Sequence, residues 1–368
     1  MSQANNRVDW VDYSKGICII LVVLMHSTLG VEKAAGETSW LHGFIDWARP
    51  FRMPDFFFIS GLFLASRIDL PWRKYLDGKL VHFGYFYLLW MTLQVLIRAP
   101  SFMAEGGVAG LGREWALGLV EPFGTLWFIY MLAVFFVTAK LLRRFNIAFV
   151  LGAACALQIV HFDTGWLVLD EFAGRFVYFY AGYIFASAAF GFATGVGSQR
   201  ASTIAAGLSL WALGNGAAVA FGYAALPGVG LALGFIGTAA VIAAGVALAK
   251  FRLAAPLRFC GRNSIVIYLA FFLFMAASRT VLLRFYPGLS LSNIALLTTA
   301  AGVAGPLALY VAARALGLNF LFVRPAWAKL TSTDQSATQR FRRRLARIAR
   351  PPSAHADVSQ RQGVISGV

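Results

Sequence analysis

The chain has 368 residues, 59% of them hydrophobic and only 13% charged. A soluble globular protein is nearer half apolar and about a quarter charged, so the composition excludes a soluble enzyme and points to a polytopic membrane protein. The net charge of +16 is concentrated in short connections and in a C-terminal tail. It therefore reports membrane orientation and not nucleic-acid binding.

About ten spans follow from the apolar runs, at roughly 14–31, 53–67, 80–98, 124–142, 146–162, 172–191, 202–224, 227–249, 262–283 and 291–316. These runs are far longer than barrel strands and lack strict alternation, so the expected class is an all-α integral membrane protein. No separate signal peptide is expected: the first run is long enough to span and no small-residue cleavage site follows it. Cys18, Cys155 and Cys260 are scattered through apolar segments without CxxC spacing, and read as small buried hydrophobes.

The first span carries Lys15 and, eleven residues later, His26. Eleven steps of 100° return the chain to within about 20° of the same face, and the rise separates the two side chains by roughly 16 Å. Ionisable groups inside a membrane mark a pathway or a site, while the bland alternative is a snorkelling Lys and a His bridging two helices. The second dense stretch is 49–63, RPFRMPDFFFISGLF. Arg49 and Arg52 have the spacing to face one anion, or to pair with Asp46 and Asp55. Pro50 and Pro54 break helix regularity, which requires that backbone to be buried in protein or to line a cavity.

Arg67, Arg73, Lys74 and Lys79 follow on one side of the membrane, joined by Lys140, Arg143, Arg144, Arg200, Lys250, Arg252 and Arg258 in later loops. Acidic or mixed loops alternate with them, so both termini are expected in the cytoplasm. Lys79 and His82 share a face at i, i+3 and suit a phosphate-bearing ligand, or simply the cytoplasmic charge bias. Trp127 lies in GTLWFIY, where span four begins. Arg262, Asn263 and Ser264 open span nine, either as a helix cap or as ligand contacts. Residues 200–250, rich in Ala and Gly, read as packing scaffold. From 324 to 368 the composition turns basic and polar, giving a largely disordered cytoplasmic tail in which Phe341, Leu345 and Ile348 could line one face of a surface helix.

Four stretches together resemble the acyltransferase type 3 family, polytopic bacterial enzymes that acylate sugars and other cell-surface acceptors and include glucan succinyltransferases. They are the basic residue and His of Lys15–His26, MPxFFFxSG at 53–61, LWF at 126–128 and GRNSxxIYL at 261–269, within a domain of about residues 9–316. The resemblance implies a bacterial inner-membrane enzyme that moves an acyl group from cytosolic acyl-CoA to a hydroxyl of an envelope sugar or lipid. It implies His26 as the catalytic base, Lys15 as its partner cation, and Lys79 and His82 where the family has two Arg. A His that the family often carries after IYL is replaced here by Ala270, Phe271 and Phe272. Arg49, Arg52, Asp55, Lys79, His82 and Trp127 are then the substrate-binding candidates. Acyl-CoA is a co-substrate, and the chemistry needs no cofactor or metal. Expected partners are acyl-CoA, the envelope acceptor and membrane lipids, with no nucleic acid. The alternative is a transporter or flippase relaying protons through His26 and Asp55; a non-catalytic scaffold is a third reading.

Overall fold

The computed structural model describes residues 8–330, and every regular element among them is helical. In chain order the long helices are α1 (Asp9–Ala35), α2 (Leu41–Leu62), α3 (Trp72–Leu76) and α4 (His82–Ile97), the last two joined by a π-helical turn, Asp77–Val81. α5 (Ala99–Leu117), α6 (Trp127–Leu142), α7 (Ile147–Val160), α8 (Leu167–Ile184) and α9 (Ala186–Ser198) follow. α10 (Ala201–Ala220), α11 (Val229–Lys250), α12 (Ala255–Arg262), α13 (Ser264–Phe285) and α14 (Leu291–Ala315) complete the set.

Seven helices among the described residues are long and apolar enough to cross a membrane, and eight if α8 and α9, bent by 74°, form one span. The ten spans drawn from the sequence correspond to these plus α2 and α7. α7 has only 14 residues. α2 has 22, and its Asp46, Arg49, Arg52 and Asp55 lower its mean hydropathy below that of a simple span. The sequence reading begins that span at residue 53, after Pro50, yet α2 runs unbroken through both prolines. A proline in a helix interior removes one hydrogen bond and clashes with the preceding turn. Here the surrounding helix is almost wholly buried from Phe51 to Ile59, and neighbouring helices hold it in place.

In lipid the apolar effect does not drive helices together, so close packing must. α2 and α8 meet backbone to backbone. A Cβ added at Gly61 would lie 2.1 Å from Phe179 O, and one at Gly182 would lie 2.1 Å from Phe58 O. Around this seam Phe57, Phe128, Phe135, Phe136 and Phe179 interleave with ring centroids 4.7–5.6 Å apart. Three ion pairs tie α12 to the start of α1, Arg258 to Asp9 at 2.8 Å and Arg262 to Asp12 at 3.0 Å and to Asp9 at 3.4 Å. Arg262 is thus a staple, and Asn263 gives no side-chain cap to α13.

The sequence reading starts the tail at 324, but the folded part continues. Phe322 is buried between Trp90 and Tyr310, and Trp90 Nε1 donates to Leu321 O at 2.9 Å. Arg324 then pairs with Asp77 at 3.0 Å, both side chains more than nine-tenths buried, and the Leu330 N–H donates to Asp77 Oδ1. Composition misses this because a single arginine in a basic run gives no sign of a partner 247 residues away. The disordered tail and the surface helix around Phe341 lie outside the described residues.

On the opposite side of the bundle a loop clasp closes α1 onto α2. The Glu32 carboxylate accepts from Ser39 N–H and Oγ–H at 2.9 Å each, and from His42 Nδ1 at 2.8 Å. That hydrogen bond to Glu32 holds the His42 imidazole above its usual value near 6.5, with Asp46 adding to the effect and Arg49 opposing it.

Three outcomes follow for protein purified in detergent. Gly61→Val should lose the folded state or lower its melting temperature sharply, whereas Gly214→Val, with open space around it, should not. Arg324→Ala leaves a buried carboxylate without its partner and should cost about 3–5 kcal/mol. The clasp's stabilisation should be complete below the ordinary imidazole value and vanish as pH rises through the raised folded value. Melting temperatures from pH 5 to 9 should therefore fall with pH in the wild type, and His42→Ala should flatten that dependence.

Candidate functional site

α1 is roughly 40 Å long at 1.5 Å per residue, enough to carry chemistry at two depths. α2 returns antiparallel beside it. Lys15 Nζ lies over the ring of Phe63 at 5.5 Å, near the end of α2. His26 lies eleven residues up and Arg52 eleven residues back along α2, close enough for the charge of that guanidinium to act on the imidazole. The two helices therefore keep one register over three turns.

His26 is half-buried and its ring lies tilted on Phe271 of α13, centroids 5.4 Å apart. Arg52 is 8% exposed. Its Nη1 reaches Ile45 O only at 3.5 Å, its Nε has no hydrogen-bond partner, and no carboxylate among the described residues lies within ion-pair distance. Nearby Arg49 and Arg175 add like charge. Arg175 is itself paired with Glu171 at 3.1 Å. A guanidinium buried without a carboxylate is costly, and its five donors suit a planar or tetrahedral oxygen anion.

A second cluster forms one turn beyond Lys15. Lys79 Nζ sits 3.9 Å above the Phe136 ring, and the charges of Arg67 and Lys15 act on it. His82 follows on the same face, packed edge-on against Phe83 and Phe86, with Arg324, Lys79 and Asp77 as its charged neighbours. The π-helical turn supplies Lys79, and such turns are frequent at functional sites. Lys140 and Arg143 of α6 hold the adjacent 63–71 connection by its carbonyls, with Lys140 Nζ donating to Leu70 O at 2.8 Å and also to Ile68 O.

The structure thus brings Lys15 to Lys79 and Lys79 to His82, and puts His26 within reach of the Arg52 charge. Arg49 is exposed and stands apart from the imidazole. Asp55 is fully enclosed: neither oxygen has a hydrogen bond, and its neighbours are Cys18, Tyr178 and Thr238, whose hydroxyl donates to Gly234 O. Neither arginine pairs with Asp46 or Asp55. Trp127 lies against Phe57 at 6.1 Å, in the aromatic layer on the Lys15 side of Arg52.

Sequence reasoning counted Arg67 among loop cations and Arg324 among tail cations; both join the Lys79 cluster, and no local pattern distinguishes them from their neighbours. Phe271 is different. It occupies the segment where the resembling family carries a His, and its ring lies against His26. Among the described residues no group of three or more His, Cys, Asp or Glu could hold a metal ion.

Comparison with known proteins gives the family. The family model described as "Acyltransferase domain", of the acyltransferase type 3 class, matches residues 8–312. The inner membrane protein YcfT of Escherichia coli K12 is 26% identical over 198 residues, 47% of this chain and 55% of YcfT. The nodulation protein NolL of Sinorhizobium fredii is 32% identical over 146 residues, 39% of each chain. The matches thus span about half or less of either relative. No solved structure matches. With its family model covering all but the ends of the helical bundle, the chain belongs to the acyltransferase type 3 family.

Proposed function

We propose that this protein transfers an acyl group from cytosolic acyl-CoA to a hydroxyl of an envelope sugar or lipid in a bacterial inner membrane, with both termini in the cytoplasm. The observation that carries the reading is that a buried Arg52 guanidinium without an ion-pair partner acts on His26, on the same helix pair whose other end bears the Lys15, Arg67 and Lys79 cations. Alternating loop charges put the cation cluster on the cytoplasmic side. Three like charges favour a polyanion there, and the phosphates of acyl-CoA supply one. The pantetheine arm then runs along α1 toward His26, a distance of roughly 16 Å.

Neutral His26 takes the proton of the acceptor hydroxyl as its oxygen attacks the thioester carbonyl. The carbonyl π electrons move to oxygen, and the resulting oxyanion is stabilised by Arg52, whose Nε is without a partner inside the protein. Collapse re-forms the carbonyl and breaks the C–S bond. The thiolate takes the proton back from the His26 imidazolium, leaving the ester and free CoA. An acyl-histidine route uses the same two residues in two steps. Arg49 lies at the outer approach to Arg52 and guides the acceptor, while enclosed Asp55 fixes the core beneath it. YcfT is named an inner membrane protein, which supports the same membrane for this chain.

The test is transfer of labelled acetyl from acetyl-CoA by protein in liposomes made from the native envelope. His26→Ala should lower turnover about 10²–10⁴-fold while the protein still inserts and keeps its melting temperature. Arg52→Ala should cost about 10²–10³-fold, chiefly in kcat. Lys79→Met should instead raise the KM for acetyl-CoA, and Lys15→Arg should retain much of the activity that Lys15→Ala loses. Near-normal turnover by His26→Ala would sink the catalytic reading.

A further inference from the structure

A separate concentration of buried polar atoms lies where α6 begins, and it contains no charge. Gln94 of α4 is 1% exposed, and neither its amide nitrogen nor its amide oxygen has a hydrogen-bond partner. Thr125, 9% exposed, has an unpartnered hydroxyl. Gly124 connects them. Its φ of 54° is a conformation glycine adopts at little cost, and a Cβ added there would stand 3.6 Å from Gln94 Oε1. The amide is therefore turned toward the 3₁₀ segment Gly124–Leu126, which leads into the first turn of α6.

Tyr268, from the GRNSxxIYL stretch, fastens that turn. Its hydroxyl accepts from Phe128 N–H at 3.1 Å and donates to Thr125 O. The Tyr268 ring lies 6.3 Å from Phe271, which in turn lies on His26. The polar recess is thus two rings from the imidazole. Tyr268 is also only one helical turn from Phe271, so the recess and His26 share a depth. Beyond the recess Arg98 spreads its guanidinium over Phe272 at 4.5 Å and Phe123 at 5.3 Å, which leaves the recess neutral at its centre.

Buried polar groups in folded proteins are nearly always satisfied, and orphans gathered at one place point to a ligand or to bound water. A carboxylate fits poorly, because Gln94 Oε1 would face like-charged oxygen. A hydroxyl both donates and accepts, as the amide and Thr125 together do.

We propose that Gln94, Thr125 and the first turn of α6 form a neutral subsite that binds a hydroxyl of the acyl acceptor at the depth of His26. The assignment rests on the acyltransferase reading. It adds what that reading lacks, a place where one hydroxyl of the acceptor is held so that another can reach His26.

The experiment compares strains producing wild-type protein, Gln94→Leu, Thr125→Val or no protein. Mass spectrometry of glycan and lipid fractions follows the acyl increment that depends on the wild-type chain. CoA binding and melting temperature are measured on purified protein. Both variants should lower the increment at least tenfold and leave the Kd for CoA unchanged. Gln94→Leu should also melt at or above the wild-type temperature, since it removes an amide that has no partner. An increment in the glycan fraction assigns a sugar hydroxyl, and one in the lipid fraction a lipid hydroxyl. An unchanged increment in both variants overturns the subsite and leaves a water-filled recess. Loss of CoA binding together with the increment overturns it as well, because the residues would then serve the donor. A Gln94→Leu protein melting several degrees low contradicts the premise that the amide is unpaired. A wild-type strain with no increment removes the acyltransferase reading and the subsite together, whereas a normal increment with unaffected variants removes only the subsite.

Discussion

The site depends on holding a guanidinium within electrostatic reach of an imidazole where, among the described residues, no carboxylate forms an ion pair with either. Arg52 is 8% exposed and unpaired by any acid among the described residues, and its charge acts on His26. Such an arrangement is unfavourable in itself, because two groups that would both carry positive charge are brought together away from water. It survives because α1 and α2 are fixed elsewhere. Gly61 and Gly182 lock α2 to α8, Asp9 and Asp12 lock α1 to α12, and the Glu32–His42 clasp closes the loop between α1 and α2. The local cost is thus carried by contacts far from the chemistry, the usual relation between a strained site and its scaffold.

The same logic explains the two ends of α1. A phosphate-bearing ligand needs cations at a wet surface, and proton transfer needs a neutral base where water is scarce. One helix of 27 residues provides both, with the spacing set by its rise. The π-helical turn at Asp77–Val81 and the strap from Phe322 to Leu330 then serve one purpose, keeping Lys79 and His82 turned toward Lys15. Asp77 ties them together, through Arg324 and the Leu330 N–H.

Much of this was legible in the sequence, for identifiable reasons. The shared face of Lys15 and His26 follows from helical periodicity, and Lys79 with His82 from i, i+3 spacing. Arg49 and Arg52 were visible as a pair spaced to face one anion or to pair with Asp46 and Asp55, but not which of the two is buried. Contacts across long separations were not legible. Arg67 reaches Lys79 only because Lys140 pins the intervening loop, and Arg324 reaches Asp77 only because the chain folds back after α14. Gln94 gave no signal at all, since an amide in an apolar helix looks the same whether it is paired or orphaned.

Treating His26 and Arg52 as one catalytic unit is the central claim, and a double-mutant cycle tests it directly. Turnover of labelled acetyl-CoA would be measured for wild type, His26→Ala, Arg52→Ala and the double variant. Groups that act together lose function non-additively, so the double variant should be about as impaired as the worse single one. Losses that multiply, each variant contributing its full factor independently, would contradict the account and return Arg52 to a role in packing or substrate approach.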